Sequence, residues 1–356
     1  MKKILSLIIS LVLIFSLFAC KDPKDGPGAK EEYKTRSRTI SDYYFNTFSS
    51  ISTYKDQSDD NIESYVKIAK EVLKYYHELF DIYYEYTGVN NIMTINKNAG
   101  ISPVEVDEEM IVFLEYCKQL YTITNGKTNI MLGSVLRIWH ESREKAGDNY
   151  GLLPPESLPT EAELTEAASH TSIDLLVIDR EARTVYICDP EASIDVGAVA
   201  KGYAVDVLYE RIKATGADSV ALNIGGNLRT IGLKPTGEKW VSGITNPDRS
   251  SDESLICRVK IGDTSIVTSG DYERFFYSGD TKYHHIIDPD TLMPANYFTS
   301  VSIFAKDSAL ADALSTALFC MSYEEGLALV NKIGGIEVIW VDKEYKMKTT
   351  PGIELA

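Results

Sequence analysis

"SIDVGAVAKGYAVDVL", residues 193–208, runs an apolar segment into Asp195, turns at Gly197 and then takes up a helical pattern that carries Lys201. The period changes inside this stretch. Residues up to 195 read as a strand, Gly197 permits a tight turn, and the spacing that follows predicts a helix over 198–214. A helix start presents unpaired N–H groups and positive potential. Lys201 falls in that first turn, where a cation is disfavoured unless an anion lies close by; the alternative is a lysine snorkelling at the surface. The stretch is not a phosphate-binding loop, whose second glycine is followed by Lys and then Ser or Thr, and it is not GxGxxG.

Outward from this point the two halves of the chain differ. Short β-branched runs occupy 173–179, 184–188, 219–224, 228–233, 240–245, 256–261, 265–269, 283–287, 300–304 and 336–341, with turn residues between them. A helix is predicted over 307–321 with Asp307 as its cap. Ser322 and Glu325 form a capping-box pattern for the next, which ends at Gly334-Gly335. Upstream, apolar residues from 62 to 83 make a long helical stripe. Asp107 caps a second helix with two acids in its first turn, and Thr160 with Glu163 opens a third, short one. Residues 143–159 read as a Pro/Gly-rich surface loop. Hairpin spacing dominates, so the class is α+β: antiparallel or mixed sheets packed with helices, a helix-rich N-terminal half, and one domain over 39–356.

The chain has 356 residues, 44% of them hydrophobic, and a formal charge of −16. That balance excludes a nucleic-acid partner, whose phosphates need clustered Lys and Arg. It also requires any anionic ligand to be met by local cations or a metal. Residues 1–19 are a signal peptide, with "MKK" ahead of an apolar run. "LFAC" resembles a bacterial lipobox, although Phe18 is bulkier than that box usually holds. Cys20 is then the lipidation site, and residues 20–38 are a flexible tether. This places the protein on the extracytoplasmic face of the cell membrane, held by a lipid anchor. Cys117, Cys188, Cys257 and Cys320 have no metal-binding spacing and are expected to be small buried thiols.

Three further stretches can carry chemistry. "NIGGNLRTIG", 223–232, is either a hairpin turn or a point where backbone approaches a ligand closely. "VTSGDYERFFYSGDTKYHHIIDPDTLMP", 267–294, places Asp271, Arg274, His284, His285 and Asp288 on an apparent hairpin. Adjacent histidines on a strand point to opposite faces, so one of the two can face a site and act as a base. Asp288-Pro289 reads as a turn. "DSALADALSTALF", 307–319, puts Asp312 and Thr316 on one helix face. A carboxylate above a hydroxyl suits a hard cation that keeps waters and phosphates as its other ligands, or else is one polar edge of a helix.

"IDVGAVAKGY", "NIGGN", "TSGDYERFF", "YHHIIDPDT" and "ADALSTALF", in this order, resemble the ApbE family of FAD:protein FMN transferases. "FDIYYEYTGVNNIMTIN" and "GKTNIMLGSVLRIWH" are similar to that family's N-terminal half. The resemblance implies a Mg2+-dependent enzyme that takes FAD, moves FMN onto a Thr or Ser hydroxyl of a partner protein and releases AMP. Acceptors would be exported redox-complex subunits or extracellular electron-transfer proteins with a Thr/Ser flavinylation segment. It implies that Asp195, Lys201, Phe45, Thr128, Asn129, Ile130 and Ile286 contact FAD. The carbonyl of Ala198, with Asp312 and Thr316, would hold Mg2+. His285 would be the base, with Asp271 as the alternative. Tyr83 or Tyr86 would stack near the flavin: spacing to Asn96 favours Tyr86, and position after Phe80 favours Tyr83. The chain departs from the family in having Thr128-Asn129-Ile130-Met131 where many members have Phe-Asp-x-Thr. It also has Phe45-Asn46-Thr47 where many have Met-Gly-Thr. The same residues would serve an FAD pyrophosphatase, and a non-catalytic flavin-binding lipoprotein is the reading from another class.

Overall fold

A computed structural model describes residues 35–54, 59–147 and 149–356. The signal peptide, Cys20 and the tether up to residue 34 lie outside the described residues. In chain order, β1 (Thr35–Ile40) and β2 (Ser49–Tyr54) lead to α1 (Asp59–Phe80), α2 (Ile92–Lys97), β3 (Val104–Glu105), α3 (Glu108–Ile123), α4 (Gly133–Ala146) and α5 (Glu161–Ala168). The strands β4 (Leu176–Asp179) and β5 (Thr184–Ile187) precede α6 (Ala200–Lys213). Then come β6 (Ser219–Ile224), β7 (Asn227–Gly232), β8 (Trp240–Thr245), β9 (Leu255–Ile261), β10 (Ser265–Gly270), β11 (Phe275–Ser278), β12 (Thr281–His284) and β13 (Phe298–Ala305). The chain closes with α7 (Ser308–Phe319), α8 (Tyr323–Ile333), β14 (Glu337–Asp342) and β15 (Met347–Thr349).

Eight strands form one sheet in the order β1-β2-β6-β7-β10-β13-β14-β15, and every neighbouring pair in it is antiparallel. One face is covered by α1, α3 and α6 at the β2-β6-β7 end, where Leu73, Phe113 and Leu208 meet Ile51, Leu222 and Ile231. Toward β13 and β14 the cover is α7 and α8, through Leu314, Leu318 and Leu329. The ribbon β8-β9 sits on the other face, with Trp240 and Val259 against Ala221, Phe304 and Ile339. A strand covered on both sides loses the alternation of a half-exposed one, and all of β13 is buried. The small β11–β12 hairpin stands apart from the large sheet and docks on α4. Trp139 stacks on Tyr283 at 5.7 Å and donates from Nε1 to the Leu292 carbonyl at 2.8 Å.

The α+β reading and both capping boxes are realised. Several boundaries differ. The first strand begins at Thr35, inside the expected tether, because Thr35, Arg36 and Ser37 already pair with β2. The expected loop at 143–159 gives up its first four residues to α4. Asp107 precedes α3 without capping it; its carboxylate accepts from the Tyr75 hydroxyl instead. Of the four cysteines, all free, Cys117 and Cys320 are buried, Cys257 is half-buried, and Cys188 is exposed where the chain leaves β5. Among the described residues no helix is long and apolar enough to cross a membrane.

One carboxyl pair joins α6 to α7, Asp206 half-buried and Asp307 exposed. Asp206 accepts from the backbone N–H groups of Ser308 at 2.9 Å and Ala309 at 2.8 Å. Asp307 caps α7 through Leu310 N–H and accepts from the Tyr116 hydroxyl. Burial, and then the neighbouring charge of Asp307, push the Asp206 carboxyl up to about 7. A carboxyl raised in this way holds a proton that the unfolded chain has already released. Its stabilising contribution is therefore full below about pH 4 and is lost as pH rises through about 7. Asp307→Asn keeps a competent cap and removes the neighbouring charge. Its melting temperature relative to the parent should rise from pH 5 to pH 8 in thermal melts; a pH-independent difference would count against the pairing.

Candidate functional site

Asp195 lies at the end of an extended segment held by backbone pairing, its N–H donating to the Ile130 carbonyl at 2.8 Å. Its carboxylate takes the Gly197 N–H at 2.8 Å and so closes the turn. Burial pushes the Asp195 carboxyl up, while the Gly197 N–H, His140 and Arg274 pull it back. The helix expected from Ala198 starts at Ala200. The Gly202 N–H does not turn back along the helix but donates to Asp312 Oδ2 on α7, at 2.8 Å. The Ala198 carbonyl, four residues earlier, is left without a backbone donor.

Gly202 is where the two helices touch. A Cβ there would come within 2.3 Å of the Ser308 carbonyl oxygen and 2.8 Å of Asp312 Cβ. Asp312 is buried, and Lys201 Nζ approaches its Oδ2 at 3.8 Å. Burial raises its carboxyl pKa, and Lys201, the Gly202 N–H and the Asn227 amide oppose the rise. The buried Nδ2 of Asn227 lies near this carboxyl but outside hydrogen-bond geometry. Thr316 stands one turn further along α7. A free carbonyl, a hydroxyl and a buried carboxylate next to one lysine make a set of hard oxygen donors, and these residues fit Mg2+. Among the described residues no group of three His, Cys, Asp or Glu forms a metal cage. A cation here must therefore complete its shell with substrate or water oxygens.

A second group of side chains, within electrostatic range of Asp195, comes from the segment after α1, from α4 and from the β11–β12 hairpin. The Tyr83 ring lies 5.6 Å from that of His140, and Arg143 Nη2 is 2.7 Å from His140 Nδ1. The Tyr83 hydroxyl is pushed up by burial and then by the Asp195 charge, with Arg143 and Arg274 opposing. His285 follows β12, and its N–H donates to the Arg274 carbonyl at 3.0 Å. Its Nδ1 is buried without a partner. Burial, Arg274, His284 and Arg143 together hold the imidazole well below its ordinary pKa, so it is neutral at pH 7. His284 points the other way, its Nε2 at 2.8 Å from the Ala295 carbonyl.

The remaining expected site residues divide between the cleft and the framework. Tyr83 faces the Asp195 side. Tyr86 donates to Asp81 at 2.7 Å and packs on His77. Phe45 also packs on His77, at 5.8 Å. The Thr128 hydroxyl donates to the Ala313 carbonyl at 2.7 Å, and Asn129 is used by Thr171 and Met131. The Ile130 side chain is buried and its carbonyl holds Asp195; Ile286 is buried beneath the hairpin. Asp271 is buried between Lys282 at 2.8 Å and Lys343 at 3.2 Å. Asp288 makes the expected turn and also pairs with Lys127 at 2.6 Å. Sequence reasoning gave no role to Gly202, Asn227, His140 or Arg143. The Lys-Gly and Gly-Gly-Asn orders were the available signals for the first two; nothing local marks the other two.

The family model for ApbE matches residues 45–340. The chain belongs to the ApbE family. An FAD:protein FMN transferase of Treponema pallidum is 31% identical over 74% of this chain and 73% of that protein. One from Haemophilus influenzae is 26% identical over 93% and 91%. Among solved structures, the ApbE protein of Thermotoga maritima superposes with a TM-score of 0.75 at 27% identity, over 89% of this chain and 97% of that one.

Within this family member, one sequence departure has a conformational account. Phe45 and Asn46 both have φ of 54°. Asn replaces the family's common Gly at a left-handed position, where its short polar side chain is tolerated. Phe45 is a costlier occupant, by roughly 1 kcal/mol, and its ring and N–H are both held by His77. The retained Thr47 packs on Gly225, where a Cβ would lie 2.5 Å from its Cγ2. "NIGGN" is thus a hairpin turn, and the close approach at its first glycine is to the Thr47 side chain. Gly202→Ala should force α6 and α7 apart, costing roughly 1–3 kcal/mol of stability in denaturant unfolding and weakening retention of added Mg2+; full stability would show that the contact is slack.

Proposed function

We propose that this ApbE-family protein moves the FMN half of FAD onto a threonine or serine hydroxyl of a partner protein and releases AMP. The reading is supported by two groupings: the Ala198–Asp312–Thr316 oxygen set beside Lys201, and a neutral His285 whose Nδ1 is unpartnered. Mg2+ held by that oxygen set supplies Lewis-acid neutralisation of the diphosphate. Lys201, beside Asp312, meets the same negative charge. Tyr83, rather than Tyr86, offers its ring to the flavin, because Tyr86 is tied to Asp81 and His77. The acceptor oxygen attacks the phosphorus on the riboflavin side. The bond from that phosphorus to the bridging oxygen breaks, and AMP leaves in line. The hydroxyl proton passes to His285. Asp271 is a poorer base, since two lysines already share its carboxylate.

Incubation with FAD, Mg2+ and an exported acceptor protein should give a flavin-fluorescent acceptor band and stoichiometric AMP. Asp312→Ala should abolish both. His285→Ala should slow labelling by about 10²–10⁴-fold and leave FAD bound. Because the His285 pKa is depressed, the base stays unprotonated through neutrality, and the acid limb of kcat should fall below pH 6.5. Free FMN without a labelled protein would assign an FAD pyrophosphatase; bound FAD without AMP would assign a flavin-binding lipoprotein.

The lipobox reading extends this to place: we propose anchoring through Cys20 on the extracytoplasmic face, where exported acceptors with a Thr/Ser segment are within reach. Cys20→Ser should move the protein from the membrane fraction to the soluble one; continued sedimentation with membranes would rule the anchor out.

A further inference from the structure

We infer that Arg274 is a catalytic residue of this reaction, its guanidinium gripping the non-bridging oxygens of the phosphoryl group in transit. The inference rests on the FMN-transfer reading and adds a contact that the reading does not require.

Arg274 immediately precedes β11, and its carbonyl holds the His285 N–H across the hairpin. The arginine and the proposed base therefore keep a fixed relation. Its positive charge acts on Asp195, Tyr83 and His285, which come from three separate segments. Arg274 therefore lies within electrostatic range of all three, and its backbone is tied to that of His285. The residue is exposed. Among the described residues no carboxylate lies within ion-pair distance of it, and its side chain donates no hydrogen bond.

The other cations nearby are engaged. Lys201 approaches Asp312, Arg143 is bonded to His140, and Lys282 and Lys343 share Asp271. In a chain with 52 acidic residues against 36 basic ones, an unpaired arginine near a carboxylate that it does not reach marks a gap. That gap opens at Asp195, three residues before Ala198, so a phosphate resting on the Ala198–Asp312–Thr316 set can present its free oxygens to Arg274. The planar fork of a guanidinium matches two phosphate oxygens. It also carries no proton that could leave at neutral pH, so it does not compete with His285. As the acceptor oxygen attacks and AMP departs, charge spreads over the equatorial oxygens, and a fixed guanidinium stabilises that charge more than the ground state.

The test uses the full chain with FAD, Mg2+ and acceptor protein, and compares the parent with Arg274→Ala and Arg274→Lys. We expect kcat in Arg274→Ala to fall by about 10³-fold, with FAD affinity changed less than about threefold and the melting temperature unchanged. Arg274→Lys should recover little, since an ammonium lacks the fork. Millimolar ethylguanidinium should restore part of the Arg274→Ala rate, which a purely structural role would not allow. A kcat within twofold of the parent, a loss confined to KM, or a loss that ethylguanidinium leaves untouched would each overturn the assignment. Absence of FMN-labelled acceptor with the parent protein would instead overturn the transfer reading, and this inference with it.

Discussion

The bond from the Gly202 N–H to Asp312 organises the centre of this protein. It requires a residue without a side chain at 202, because a Cβ there would run into α7. It diverts an N–H from its helical duty and frees the Ala198 carbonyl. It also turns a buried carboxylate toward Lys201. Two helices far apart in sequence thus create one oxygen-rich corner, and the corner exists only at the point of contact. Asp206 repeats the arrangement one turn along α6, taking two N–H groups from the start of α7. The α6–α7 contact is therefore pinned at two levels by carboxylates that bond to backbone, and such bonds constrain distance and angle more tightly than apolar packing alone.

What the sequence disclosed follows from how local each feature is. The capping boxes at Thr160 and Ser322 are complete within four residues, and both form. The antiparallel character of the second half rests on hairpins such as Ser219–Gly232, whose turn chemistry is carried by Gly225-Gly226. The strands β1 and β2 were not legible because "TRSRTI" and "SSISTY" are small and hydroxyl-rich. They become strands by pairing along the sheet edge, not by alternating large apolar side chains. Asp107 looked like a cap because caps are local, but a tyrosine on α1, more than thirty residues upstream, bonds its carboxylate.

The site followed the same rule. Asp312 and Thr316 are one helical turn apart, so their shared face could be read directly. The choice between His284 and His285 could not, since alternation says only that they diverge; in the structure His284 is engaged by the Ala295 carbonyl. Tyr83 and Tyr86 could not be separated by counting residues. They are separated by Asp81, which accepts from the Tyr86 hydroxyl and from the Tyr83 backbone N–H, holding one ring on the framework and turning the other outward. Thr128 and Asn129 occupy positions that the resemblance assigns to ligand contact, yet their polar groups are spent inside the fold.

Electrostatics explains why the cleft needs so many cations in so acidic a chain. A surface carrying −16 repels a dinucleotide diphosphate at long range, so binding must be driven at short range, where burial strengthens each pairwise attraction. Arg143, Arg274 and Lys201 are drawn from α4, the β11 edge and α6, which no sequence window joins. Two of these, Arg143 and Arg274, also depress the His285 pKa, so under the proposed reaction their attraction for phosphate and the strength of the base are coupled. Stronger positive charge in the cleft would hold the anion more firmly and leave the imidazole a weaker acceptor of the hydroxyl proton. The carboxyl groups of Asp195 and Asp312 belong to the same region, each held by one backbone N–H and neither paired with an arginine.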